Sequence, residues 1–243
     1  MSLLIPKPIK KILKPFARAA ASVIVWILLF ISYYLFKGKK SCISTLIASL
    51  CLNDLLVFKM DPKKIQYHIK DPDKMQDGLF VWGGDWDQDI IDIEEHEKLN
   101  MVRELIVDKK DYDDTRFYSY AMKQIRTGKP LSRGNIRLDS REKIVMYFKK
   151  QERLFEDIKA NGFDPGLASE TGVAVARDGR LIHYRQGHHT LAIAKILGVE
   201  KVIVRIRAVH KLWLLEQIKD SGLSVLAPLR KGLQALEKQS DQT

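Results

Sequence analysis

Cysteine is nearly absent: two residues in 243, Cys42 and Cys51. Two thiols nine positions apart make neither a disulfide framework nor a zinc site, so both are read as reduced, small apolar residues. No Gly-x-Ser-x-Gly elbow occurs, so nothing signals a serine nucleophile. Internal repeats and low-complexity blocks are also missing. Acidic residues are absent from the first 40 positions, which hold eight lysines and arginines. The rest of the chain carries 33 basic against 30 acidic residues, so most of the net charge of +11 sits at the N-terminus. That distribution argues against a broad basic face for DNA and suits anionic lipid headgroups near a membrane.

What the N-terminus does have is a long apolar run. Ala19 to Phe36 holds 18 residues without a charge, flanked by Lys7, Lys10, Lys11, Lys14 and Arg18 before it and Lys37, Lys39 and Lys40 after it. As a helix it spans about 27 Å, close to the hydrocarbon thickness of a bilayer. A cleaved signal peptide needs a shorter core and a small-residue cleavage site, whereas Tyr33-Tyr34-Leu35-Phe36 follows here. The expectation is an N-terminal transmembrane helix that keeps the protein at the membrane, with lipid as a partner. A second apolar stretch, 41–59, reads as a second leg of a hairpin, an interfacial helix or the first helix of the soluble domain. The charge difference across the span is too small to fix the side; a cytoplasmic domain is expected.

The expected organisation is a basic flank and anchor at 1–40, a juxtamembrane segment at 41–59, a domain at 60–220 and a charged, frayed tail at 221–243. Within the domain, Gly78–Gly84 predicts a strand ending in a glycine turn, and helices are expected over 93–107 and from Asp113-Asp114-Thr115 to Thr127. Ile144, Phe148, Phe155 and Ile158 share a helical face over 141–160, with Gly162 as the stop. Arg177-Asp178-Gly179-Arg180 between two apolar runs predicts a hairpin. A strand is expected over 202–207 and a helix over 212–219. The fold class is α/β (α+β), a small mixed sheet with surrounding helices.

The stretch richest in functional information is Gln186-Gly187-His188-His189-Thr190 followed by Leu191-Ala192-Ile193-Ala194-Lys195-Ile196-Leu197-Gly198. It reads as a glycine turn opening into a short apolar helix over 188–197. A helix start leaves backbone N–H groups without partners, which suits a phosphate or another anion.

Together with Gly83-Gly84-Asp85-Trp86-Asp87 and His210-Lys211-Leu212-Trp213, this pattern resembles the ParB/sulfiredoxin-like superfamily over roughly residues 60–215, most closely an uncharacterised branch of it. The resemblance implies a phosphate-holding turn at Gly187, His188, His189 and Thr190. Thr190 stands where that family has arginine, and Arg185 and Lys195 are the candidates for the missing charge. It further implies a nucleotide (ATP, ADP or CTP) with Mg2+ as cofactor, and phosphoryl transfer to a small hydroxyl compound. The alternatives are a non-enzymatic partition-type DNA-binding module and an inert scaffold for protein contacts; nucleic acid is not the expected partner.

Asp85, Asp87 and Asp89 alternate, so in an extended segment their carboxylates face one way and suit magnesium. Asp85, Asp87 and His189 are the candidate catalytic residues, and Asp85 and Asp87 the candidate metal ligands. Trp82, Trp86 and Trp213 are read as core, with base stacking as the alternative. Zinc at His183, His188, His189 and His210 matches no familiar ligand spacing.

Overall fold

A computed structural model describes residues 55–75, 79–163, 170–219 and 226–241, with the isolated positions Ile27, Ala48 and Leu52. Apart from Ile27, the expected span at 19–36 lies outside the described residues, as do both cysteines. Among the described residues no helix is long and apolar enough to cross a membrane.

In chain order come β1 (Val57–Met60), β2 (Tyr67–Ile69), β3 (Val81–Trp82), β4 (Ile90–Asp92), α1 (Glu97–Ile106) and α2 (Arg116–Arg126). There follow β5 (Leu131–Arg133), β6 (Ile136–Leu138), α3 (Arg141–Asn161), β7 (Thr171–Val175) and β8 (Leu181–His183). The last elements are α4 (His188–Leu197), β9 (Val202–His210), α5 (Lys211–Ile218) and α6 (Leu226–Asp241). Seven strands form one mixed sheet in the order β1-β9-β7-β8-β2-β4, with β3 also on β9; β5 and β6 pair apart. The β7–β9, β2–β8 and β3–β9 pairs are parallel, and β1–β9, β7–β8 and β2–β4 antiparallel.

Local signals explain most elements. Ser140 caps α3 by accepting from the Lys143 amide, and Gly162, at φ +70°, ends it. Gly179, at φ +87°, makes the turn between β7 and β8, where the Ala176 amide bonds the Arg180 carbonyl at 2.9 Å. Along β9, Val202, Val204 and Ile206 are fully buried while Ile203, Arg205 and Arg207 are half-buried, the period-two signature of a strand. The strand runs three residues beyond the expected end.

From Leu191 to Ala194, α4 is apolar on every side because it is buried on every side. Leu191 and Ala194 join the core under the sheet, with Trp213, Leu214 and the β1 and β9 side chains. Ala192 and Ile193 face a second cluster built from α1, α2 and α3. The opposite sheet face is filled by Ile69, Met75, Trp82, Ile182 and Tyr184.

Two boundaries differ from expectation. Leu56 and Phe58, with Ala48 and Leu52, lie in the main core, so the folded unit begins before residue 60. The tail is α6, and its Leu229, Leu233 and Leu236 enter the same core. Each buried leucine contributes about 1.5–3 kcal/mol, enough to hold a charged helix in place.

Candidate functional site

The chain passes from β8 into α4 through two left-handed residues, Arg185 (φ +64°) and Gly187 (φ +80°). The turn is locked to β7: the Gly172 amide donates to the Gln186 carbonyl and the Tyr184 amide to the Gly172 carbonyl. A Cβ on Gly187 would lie 2.6 Å from the Thr171 Cα and 2.7 Å from the Glu170 carbonyl oxygen. Backbone cannot yield as a side chain can, so Gly187→Ala is expected to destabilise the fold by about 3 kcal/mol or more. Gly198→Ala, with a similar φ and open space around it, should cost only about 1 kcal/mol. Urea unfolding midpoints of the two variants check this; equal midpoints would remove the close-approach argument. A bulky side chain at 187 therefore tests folding, not ligand binding.

α4 has Gly187 as its N-cap, a residue with no side chain with which to cap it. Its first turn opens on a pocket of about 530 Å³ lined by Gly187, His188, His189 and Thr190 together with residues from α1, the β5–β6 hairpin and α3. Among the described residues the wall carries four cations, Lys98, Arg133, Lys150 and Arg153, against one carboxylate, Asp157. Arg133 bonds Glu97 at 2.8 Å and lies over the Phe117 ring. Burial, and then Arg133, push the Lys98 pKa down, while Glu97 opposes the shift.

Among the described residues, six buried side-chain nitrogen or oxygen atoms have no hydrogen-bond partner, and three of them belong to this wall: Arg133 Nε, His188 Nδ1 and His189 Nδ1. Such atoms are rare in folded proteins because each forfeits the hydration it had when unfolded. The other His189 nitrogen, Nε2, lies 2.7 Å from the Tyr147 hydroxyl. Burial drives the Tyr147 pKa up to about 12, so its hydroxyl keeps its proton. Burial, with Lys98 and Arg133, drives His189 down to about 3, so the ring is neutral at pH 7.

Beside the pocket lies a cluster of imidazoles that the sequence did not reveal. His68 on β2 and His183 on β8 stand opposite each other in the parallel pair, with their Nδ1 atoms 2.9 Å apart. His188 reaches over them, its ring 4.4 Å from His183 and 5.2 Å from His68. His96, the N-cap of α1, stacks on His188 at 5.0 Å and meets His68 edge-on at 4.3 Å. One ring nitrogen from each of His68, His183 and His188 lies within 4.8 Å of the others.

The remaining expected site residues are elsewhere. Arg185 donates to the Tyr184 hydroxyl and to the Pro72 and Met75 carbonyls, so it holds the 72–75 turn. Lys195 sits in the last turn of α4, 3.8 Å from Glu94. Neither lines the pocket.

Asp85 and Asp87 do not face the α4 turn. They bind Arg177, two residues past the end of β7, whereas Gly187 packs against Thr171 at its start. Six residues at about 3.3 Å each separate the two places by roughly 20 Å. Asp87 is wholly buried and accepts from the Arg177 amide, Nε and Nη2, with His210 Nε2 3.8 Å away. With its oxygens taken by a guanidinium, it is a structural ion pair and offers magnesium no coordination. Burial alone would raise its pKa, but the Arg177 hydrogen bonds and His210 hold it below the usual range.

His210 is likewise structural. Its Nδ1 accepts from the Leu212 amide as the cap of α5 and its Nε2 donates to the Gly84 carbonyl. Trp82 and Trp213 are core residues, and Trp86 packs against His210. Comparison with protein-family models, curated proteins and solved structures finds no match for this chain.

Proposed function

We propose that this chain is a membrane-tethered protein whose α/β domain binds a small phosphorylated ligand at the Gly187–Thr190 turn. The observation that carries this reading is the coincidence, in one pocket wall, of a helix start whose N-cap glycine has no side chain, four cations and two buried nitrogens without partners, Arg133 Nε and His189 Nδ1. A phosphate group supplies negative charge and several acceptors at once, and a helix N-terminus favours both. Thr190 carries no charge, and Lys98, Arg133, Lys150 and Arg153 take over the role expected of Arg185 and Lys195.

A nucleotide (ATP, ADP or CTP) is the ligand class that the resemblance to the ParB/sulfiredoxin-like superfamily implies, and the pocket volume is in the range that takes one. Mg2+ would then be held by phosphate oxygens and water rather than by Asp85 or Asp87, with fewer carboxylates than that ion usually takes. Phosphoryl transfer to a small hydroxyl compound is the narrower form of the proposal. Its base would be Asp157, the carboxylate that the described residues bring to the wall. The tether rests on the 19–36 segment alone.

Calorimetric titration of the full chain in mild detergent with inorganic phosphate, ATP, ADP and CTP, with and without Mg2+, tests the reading. At least one probe is expected to bind with Kd of about 1 mM or tighter. Lys150 and Arg153 are exposed on α3, so the Lys150→Ala, Arg153→Ala double variant should weaken binding by roughly tenfold or more at an unchanged unfolding midpoint. Absence of saturable binding by all four probes would reject the proposal.

A further inference from the structure

We infer that His68, His183 and His188 form a binding site for a divalent transition-metal ion of the zinc and cobalt class. The inference stands apart from the identity of the pocket's ligand, because it rests on the imidazoles alone. Three separate elements contribute: β2, β8 and the first residue of α4. The β2–β8 pairing sets His68 and His183 side by side, and the tight 185–187 turn brings His188 back over both.

Hydrogen bonding fixes which nitrogens are available. The Gln186 carbonyl can only accept, so His183 Nε2, 3.0 Å away, is the protonated nitrogen and donates to it. The Nδ1 of a neutral His183 is then a bare lone pair pointing at His68. A second ring nitrogen tied to a backbone carbonyl is the arrangement that orients a metal-binding histidine. His188 Nδ1 is buried and has no partner at all. His96 is excluded as a ligand through its Nδ1, which accepts from the Lys98 amide at the start of α1; it stacks on His188 and forms a wall.

Without an ion this group is costly. Three imidazoles converge with one hydrogen bond between them and one nitrogen unanswered. Burial, with mutual repulsion, keeps all three neutral; His68, whose Nδ1 hydrogen answers His183 Nδ1 in the free site, ligates as the tautomer that carries its proton on Nε2. Lys98, the neighbouring cation, is itself pushed toward neutrality by burial. The nitrogens lie within 4.8 Å of one another, and His68 and His183 are already at 2.9 Å. Tetrahedral bonds of about 2.0–2.1 Å call for roughly 3.4 Å between ligands, so binding draws His188 in and parts the other two by less than about 1.5 Å. Three imidazoles with no carboxylate or thiolate select zinc, cobalt or nickel over magnesium and calcium. The fourth position is left for water or for an oxygen of the molecule in the adjoining pocket, since His188 borders both.

The test uses the full chain, free of any polyhistidine tag, loaded separately with Zn2+ and Co2+ and dialysed. One equivalent of metal per chain is expected, with visible absorption bands from the cobalt form. X-ray absorption at the zinc edge should show a nitrogen shell near about 2.0 Å with imidazole scattering. His188→Gln, at a half-exposed position, should lower affinity about 100-fold or more and abolish the rise in unfolding midpoint that Zn2+ gives the parent chain. A folded parent chain that retains no stoichiometric metal would overturn the inference. So would a zinc shell without imidazoles, or a His188→Gln chain with parental affinity. The first two outcomes decide even if the variant does not fold. Loss of metal binding with phosphate binding intact would leave the pocket proposal standing, and the reverse result would leave this one.

Discussion

With a chelator present, the domain is expected to lose most of its stability between pH 6.5 and pH 5. The cause is the set of histidines that folding holds neutral. His68 and His189 are pushed down to about 3 and His96 to about 4, each chiefly by burial and then by neighbouring charges. Lys98 faces all three, and Arg133 faces His96 and His189. Above pH 6.5 these rings are neutral in both the folded and the unfolded chain, and their contribution is fully present. Below it the unfolded chain takes up protons that the folded chain refuses, so stability falls with pH until the folded values are reached. At pH 5 each ring forfeits about 2 kcal/mol, and three forfeit about 6 kcal/mol, comparable to the whole stability of many domains. Urea titrations followed by tryptophan fluorescence at pH 7.5, 6 and 5 measure this. A midpoint at pH 5 equal to that at pH 7.5 would show that the rings are not held neutral.

Asp87→Ala is expected to cost about 3–5 kcal/mol, the penalty for leaving a buried ionic partner unmatched. Arg177 would keep only the Gly84 carbonyl and Asp85, and its backbone amide would lose its acceptor. Asp85→Ala, at a carboxylate that is mostly solvent-exposed, should cost about 1 kcal/mol or less. The contrast separates a structural role from a catalytic one. Were Asp87 a magnesium ligand or base, Asp87→Asn would fold normally and abolish ligand binding or turnover. Here its expected defect is a lowered urea midpoint, with phosphate binding intact in the folded fraction. An Asp87→Ala chain as stable as its parent would remove the ion pair from the list of what holds the β7 end together.

Local features of this fold were legible in the sequence, and contacts across it were not. The α3 helix, the Arg-Asp-Gly hairpin and α4 each declare themselves through a cap, a glycine or an apolar period contained in about twenty residues. The α6 helix carried the same kind of signal in Leu229, Leu233 and Leu236, but the surrounding lysines and glutamines disguised it as a solvated tail. Of the site, the Gly187–Thr190 turn was readable because its glycine and apolar helix are adjacent. Its cations were not, since Lys98, Arg133, Lys150 and Arg153 come from three other elements. Nearness in sequence misled for Arg185 and Lys195: a left-handed backbone turns the first away, and two helical turns carry the second to the far end of α4. His68 and His183 are 115 positions apart and meet only because β2 and β8 lie parallel. No periodicity announces that pairing.

The outer strands of the main sheet are brief: four residues in β1, two in β3 and three in β4. An open sheet margin recruits strands from other molecules in proportion to the free backbone it displays, and margins this short display little. Molecules confined to a surface collide far more often than those free in solution, so that protection would matter most under the proposed membrane tether. Self-association, where it occurs, is therefore expected to proceed through helix faces, leaving the sheet unextended.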